Sequence, residues 1–178
     1  MDERDLIYDW NKIEPESPRD PSSHPHPVWF DDETLRDGLQ SPSARNPTIA
    51  QKIELLDFME NLGIQKVDLG LPGAGPFHID HIDSMLGHIS DNGYQIRPGC
   101  AVRTVVSDIQ PLIELQSKHE MKIQASAFLG TSPIRQYTEG WTMDRIMKTA
   151  EEAVEFAVDN DIPVMFVTED LSLIHISE

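Results

Sequence analysis

From residue 27 onward the chain alternates short apolar runs with amphipathic stretches at intervals of about thirty residues, and this spacing limits the fold more than any other feature. Pro27-Val28-Trp29-Phe30 is the first run, followed by a helical pattern from Thr48 to Leu62. There Thr48 and Gln51 suit a capping box, Ile49, Ile53, Leu56 and Met59 share a face, and Gly63 ends the helix. Gln65–Leu71 reads as a second strand, 79–90 as a helix closed by Asn92-Gly93, Tyr94–Val102 as a third strand and 108–119 as a third helix. Met121–Leu129 is a fourth strand. A helix capped by Thr142 runs to Asp159 with Ile146, Ala150, Ala153 and Ala157 on its apolar face, and Pro163–Val167 is a fifth strand. Repeated βα units call for a parallel sheet covered by helices.

A Rossmann sheet and a (β/α)8 barrel both satisfy that pattern. The turn after the first strand carries charged and amide groups, Glu33-Thr34-Leu35-Arg36-Asp37-Gly38-Leu39-Gln40, where a dinucleotide fold needs GxGxxG. Gly70-Leu71-Pro72-Gly73-Ala74-Gly75 contains proline and reads as a tight βα loop. The polar residues gather at the C-terminal ends of strands, where a barrel puts its chemistry. The expected fold is therefore α/β: a partial (β/α)8 TIM barrel of about five strands and four helices. At 178 residues the chain is shorter than the roughly 250 of a complete barrel.

Composition removes some function classes. A net charge of −17 argues against nucleic acid or an anionic membrane surface as partner. Cys100 is the only cysteine, so neither a disulfide framework nor a thiolate zinc cluster is available. Met-Asp-Glu-Arg-Asp at the start is no signal peptide, and a cytoplasmic location is expected. Residues 1–26 hold four prolines and no sustained period, and read as a largely disordered extension in which Tyr8, Trp10 and Ile13 are the docking candidates. His24 and His26 form an HxH pair inside that proline-rich tail and are read as playing no metal role.

At the exit of strand one, Asp37 offers a hard oxygen ligand, Arg36 a planar fork for a carboxylate, and Gln40 an amide to orient an oxygen. This segment resembles the first strand of the family of 2-isopropylmalate synthase, homocitrate synthase, citramalate synthase and 3-hydroxy-3-methylglutaryl-CoA lyase, which are metal-dependent barrel enzymes. Thr131-Ser132-Pro133 resembles the segment ending strand four in isopropylmalate synthases, although Arg135 stands where many of them carry histidine. Thr168-Glu169-Asp170 resembles their Glu-Asp pair. The resemblance covers about residues 27–170.

It implies a synthase that condenses acetyl-CoA with a 2-oxoacid, 3-methyl-2-oxobutanoate, in leucine biosynthesis, the parent protein being a homodimer. It further implies a divalent metal (Mg2+ or Mn2+, with Zn2+ as alternative) held partly by Asp37. Arg36, Gln40 and Glu169 are the implied catalytic residues, and Arg36, Arg103, Thr131, Ser132 and Thr168 the substrate contacts. The lyase is the runner-up, because Leu39 is the residue type lyases favour there; homocitrate and citramalate synthesis stay open. Asp68, inside strand two, points either into the barrel or at a buried partner. His78, His81 and His88 are read as solvated helix-face residues.

The family's later strand bearing His-x-His is not in the chain. Residues 171–178, Leu-Ser-Leu-Ile-His-Ile-Ser-Glu, lack the small polar residues and arginine normal there and resemble translated adapter sequence. The expectation is a non-native tail on a truncated reading frame, and a catalytically inert fragment is the alternative from another class.

Overall fold

The computed structural model describes residues 29–169. Five strands, β1 (Asp31–Asp32), β2 (Lys66–Asp68), β3 (Arg97–Arg103), β4 (Gln124–Gly130) and β5 (Val164–Glu169), form one parallel sheet in the order β1-β2-β3-β4-β5. Each strand lies beside its neighbour in sequence. A dinucleotide fold reverses its strand order partway, and this sheet does not, so it is a half-barrel.

The intervening helices are α1 (Ile49–Leu62), α2 (Pro76–Asn92), α3 (Val106–His119), α4 (Pro133–Glu139) and α5 (Met143–Asp159). The cap of α1 forms as expected: Thr48 Oγ1 accepts from the Gln51 N–H, and Gln51 Oε1 accepts from the Thr48 N–H. Gly63 and Gly93 end α1 and α2 at φ values of 75° and 62°, where a side chain would be strained. The expected four helices become five through α4. Ser132 caps it and Pro133 opens it, a pairing pre-organised for a helix start.

The strands are shifted or shorter than the apolar runs suggested. β1 pairs through Asp31 and Asp32, and Phe30 contributes only its carbonyl to the Lys66 N–H. The first run reflects side chains that flank the ladder; Pro27 and Val28 lie outside the described residues, as do the expected extension 1–26 and tail 171–178.

Side-chain alternation sorts the two faces. Val67, Cys100, Val102, Ala125 and Ala127 point to the helices and join Leu56, Met85, Leu86, Ile109 and Leu112 in the core. Gly99, Ala101 and Ser126 lie on the opposite face, in register with Asp68 and with each other. Among the described residues no helix is long and apolar enough to cross a membrane.

Among the described residues, β1 and β5 are the edges of this sheet. Trp29, Phe30 and Phe166 stand exposed beside them. Unpaired edges with apolar neighbours template pairing with another chain. The protein is therefore expected to self-associate in a concentration-dependent way despite its net charge of −17, as read by light scattering coupled to gel filtration. A monomer unchanged over a hundredfold range of concentration would contradict this.

Candidate active site

The chain leaves β1 through a turn built on its own carboxylates. Asp32 Oδ1 accepts from the Thr34 N–H, and the Glu33 carbonyl accepts from the N–H groups of Arg36 and Gly38. Leu35 is buried beneath, and Asp37–Gln40 wind into a 3-10 turn. This places Arg36, Asp37 and Gln40 at the C-terminal end of the sheet.

Arg36 is the organised member. Its Nε and Nη2 reach Glu33 Oε2 at 2.9 and 2.6 Å, its Nη1 reaches Asp37 Oδ1 at 3.3 Å, and Asp68 Oδ2 stands 3.7 Å from Nε. Three carboxylates thus surround a guanidinium whose side chain is only 20% exposed. Asp37 is open to solvent and Gln40 is exposed.

Asp68 does both things its position allowed: it lies on the face that bears Arg36, and it satisfies buried partners. Its Oδ1 accepts from the backbone N–H of Gly70 and of Ala101, at 3.0 and 3.2 Å. Its Oδ2 is buried and has no hydrogen-bond partner. Burial pushes this carboxyl up to about 7, against the opposing pull of the Gly70 N–H; the Glu33 charge adds to the rise, and Arg36 and the Ala101 N–H oppose it.

The remaining candidates sit on other strand ends. β4 and β5 finish together, with Gly130 opposite Glu169, and the Thr131 N–H donates to the Glu169 carbonyl at 3.1 Å. Thr131 and Glu169 are half-buried and Thr168 is exposed. Ser132 is buried and its Oγ accepts from the Arg135 N–H as the cap of α4, so its hydroxyl has a local structural task. Arg103 is bound locally as well: Nε and Nη2 meet the two oxygens of Asp108 at 2.7 and 2.8 Å. Asp170 lies outside the described residues.

A cavity of about 180 Å3 opens beside Arg36, on the side of α1 and α2. Gln40, Asn46, Lys52 and His78 line it together with Leu39 and Ile82. It gathers Arg36 and Gln40 but none of the other expected site residues. His78 and His81 are partly buried, with the Phe77 ring packed against both, and His81 Nδ1 is buried without a hydrogen-bond partner. His88 bonds Asp57 at 2.6 Å. The expected solvated histidine face is therefore a set of packed side chains.

Among the described residues no group of three or more His, Cys, Asp or Glu could hold a metal ion. Asp37 is one donor residue, and a hard divalent cation draws its remaining ligands from water and substrate oxygens as well as from protein.

The family model for HMGL-like proteins matches residues 27–178. The chain belongs to the HMGL-like family. Among similar HMGL-like proteins, a 2-isopropylmalate synthase of Campylobacter hominis is 33% identical over 147 residues, which are 82% of this chain and 28% of that protein. A homocitrate synthase AksA of Methanosarcina acetivorans is 28% identical over 142 residues, 79% of this chain and 33% of that protein. A 2-isopropylmalate synthase of Streptococcus gallolyticus is 32% identical over 144 residues, 80% of this chain and 26% of that protein. The chain thus spans about a third or less of the length of these relatives.

Proposed function

We propose that this chain is part of a 2-isopropylmalate synthase-type acyltransferase, which condenses acetyl-CoA with 3-methyl-2-oxobutanoate in leucine biosynthesis. The observation that carries the reading is the guanidinium of Arg36 at the C-terminal rim of the half-barrel, held by Glu33 and Asp37 with Gln40 nearby. The names of the relatives support the same choice.

In the proposed reaction a proton leaves the methyl group of acetyl-CoA, and the resulting enolate carbon attacks the keto carbon of the oxoacid. The keto oxygen takes on negative charge as the new carbon–carbon bond forms, and hydrolysis of the thioester releases CoA. Arg36 is the residue of this chain suited to that oxygen, because a guanidinium held in place before the reaction needs little reorganisation as charge develops. Gln40 donates an amide hydrogen to orient the oxoacid. Glu169 assists proton movement, and Thr131, Ser132, Thr168 and Arg103 belong to the substrate-contacting rim. Asp37 is the ligand this chain would offer to a divalent metal.

A protein carrying this segment at the full length of its relatives is expected to release free CoA from acetyl-CoA in the presence of 2-oxoacids, with 3-methyl-2-oxobutanoate preferred. Arg36→Gln should lower kcat by about a hundredfold, the usual effect of losing one oxyanion donor. Cleavage of 3-hydroxy-3-methylglutaryl-CoA without condensation would select the lyase, and preference for 2-oxoglutarate would select homocitrate synthesis.

A further inference from the structure

A groove of about 700 Å3 opens at the end of the sheet opposite Arg36. Lys66, Arg97 and Gln124 line it as the first residues of β2, β3 and β4, and Lys122 and Pro163 line it just ahead of β4 and β5. In a barrel this N-terminal rim serves stability, and the chemistry lies at the other end.

The groove is basic and apolar together. No aspartate or glutamate is among the residues lining it, in a chain that contains 31 of them. Lys66 and Lys122 are paired with Asp31 and Asp161, which stand outside the lining. Arg97 is exposed and makes no ion pair among the described residues. Its guanidinium lies over the Trp29 ring, 4.2 Å from the centroid, in a cation–π stack that leaves its N–H edge open to an acid. Trp29 is 46% exposed, and Met121, Pro98 and Pro163 extend the apolar wall from it. A partner that fits here is acidic and carries aromatic or aliphatic anchors.

The chain itself holds such a segment, joined covalently to the groove. Residues 1–28 lead directly into Trp29. They contain seven aspartates and glutamates against three lysines and arginines, so their charge is opposite to that of the groove. Tyr8, Trp10 and Ile13 are interleaved there with Asp5, Asp9 and Glu14. Nineteen residues separate Trp10 from Trp29, a coil span of roughly 25 Å, which reaches any part of a groove that begins at Trp29. A tether of this kind holds its ligand at millimolar effective concentration, so weak contacts suffice.

We propose that residues 1–28 dock in this groove, with Tyr8 and Trp10 packed on its apolar wall and the neighbouring carboxylates of Asp5 and Asp9 facing Arg97. Docking needs neither acetyl-CoA nor a metal and involves no residue of the Arg36 site, so it stands or falls separately from the condensation reading.

The test is brief chymotrypsin digestion of the full 178-residue chain, because this protease cuts after the two proposed anchors. Release of the amino-terminal fragments is followed by mass spectrometry, and each rate is divided by that of a free peptide of residues 1–26 with the same sequence. Cleavage after Tyr8 and Trp10 should be at least tenfold slower in the chain than in the peptide, independent of protein concentration. Arg97→Glu should raise it at least fivefold, and adding Asp5→Lys with Asp9→Lys should restore protection, which separates lost docking from lost fold. Lys148→Glu, at an exposed lysine of α5, should leave the rate unchanged. Cleavage as fast as in the peptide, indifference to Arg97→Glu, or no rescue by the charge swap would overturn the proposal. Protection that grows with protein concentration would overturn it as well, by giving the groove to a second copy of the chain.

Discussion

Asp68→Asn is expected to flatten the pH dependence of stability between about pH 4 and pH 7. The unfolded chain releases this proton near 3.8, whereas the folded chain holds it up to about 7. Between those values the folded state carries more bound proton than the unfolded one. The stabilisation from the protonated form is complete below the unfolded value and is lost as pH rises through 7. A shift of this size corresponds to about 4 kcal/mol across the window, to order of magnitude. Asparagine keeps the oxygen that accepts from the Gly70 and Ala101 N–H groups and cannot ionise. The variant should therefore resemble the parent below about pH 4 and exceed it by several kcal/mol above pH 7, as read from chemical denaturation at each pH. Parallel stability curves for variant and parent would show that the Asp68 carboxyl does not carry this dependence.

Gly73→Ala has the next largest expected effect. A Cβ at Gly73 would lie 2.3 Å from Asp108 Oδ2 and 2.5 Å from its Cγ, far inside any tolerable contact. Asp108 cannot swing away cheaply. It is buried, and it accepts from the Arg103 N–H at 3.1 Å as well as from the Nε and Nη2 of the Arg103 guanidinium. Moving it breaks charge-assisted hydrogen bonds around a buried carboxylate, at roughly 3 kcal/mol. In an Asp108→Ala background the same Gly73→Ala change should cost little, since the obstructing atoms are gone. A double-mutant cycle on the denaturation midpoint measures this coupling, and additivity of the two changes would contradict it.

The order of elements was legible because periodicity survives folding: apolar spacing marked the helices, and glycine after α1 and α2 marked their ends. The exact strand bounds were not, because a ladder is set by backbone pairing, and apolar side chains such as Trp29 and Phe30 also flank it. α4 was hidden because Ser-Pro suits a strand-end loop as readily as a helix start. The HMGL-like family was readable from the strand ends, as the family match bears out.

The candidate site was legible in part. Arg36 and Gln40 do share a cavity, yet Lys52 went unnoticed although its place on the α1 stripe, three after Ile49 and four before Leu56, was visible as a charge where an apolar residue belongs. The engagement of Arg103 by Asp108, five residues further on, depends on how the chain turns into α3, which side-chain identity alone does not encode.

The neighbour-by-neighbour strand order has a consequence for how the chain acquires its shape. Each strand pairs with the one before it in sequence, so every pairing joins segments only one βα unit apart. The entropy of closing such loops grows slowly with length and stays modest at this separation. During synthesis β2 can find β1 as soon as it clears the ribosome, without waiting for anything downstream. Assembly can therefore proceed as an accretion from the amino-terminal side, with the newest strand always serving as the template for the next.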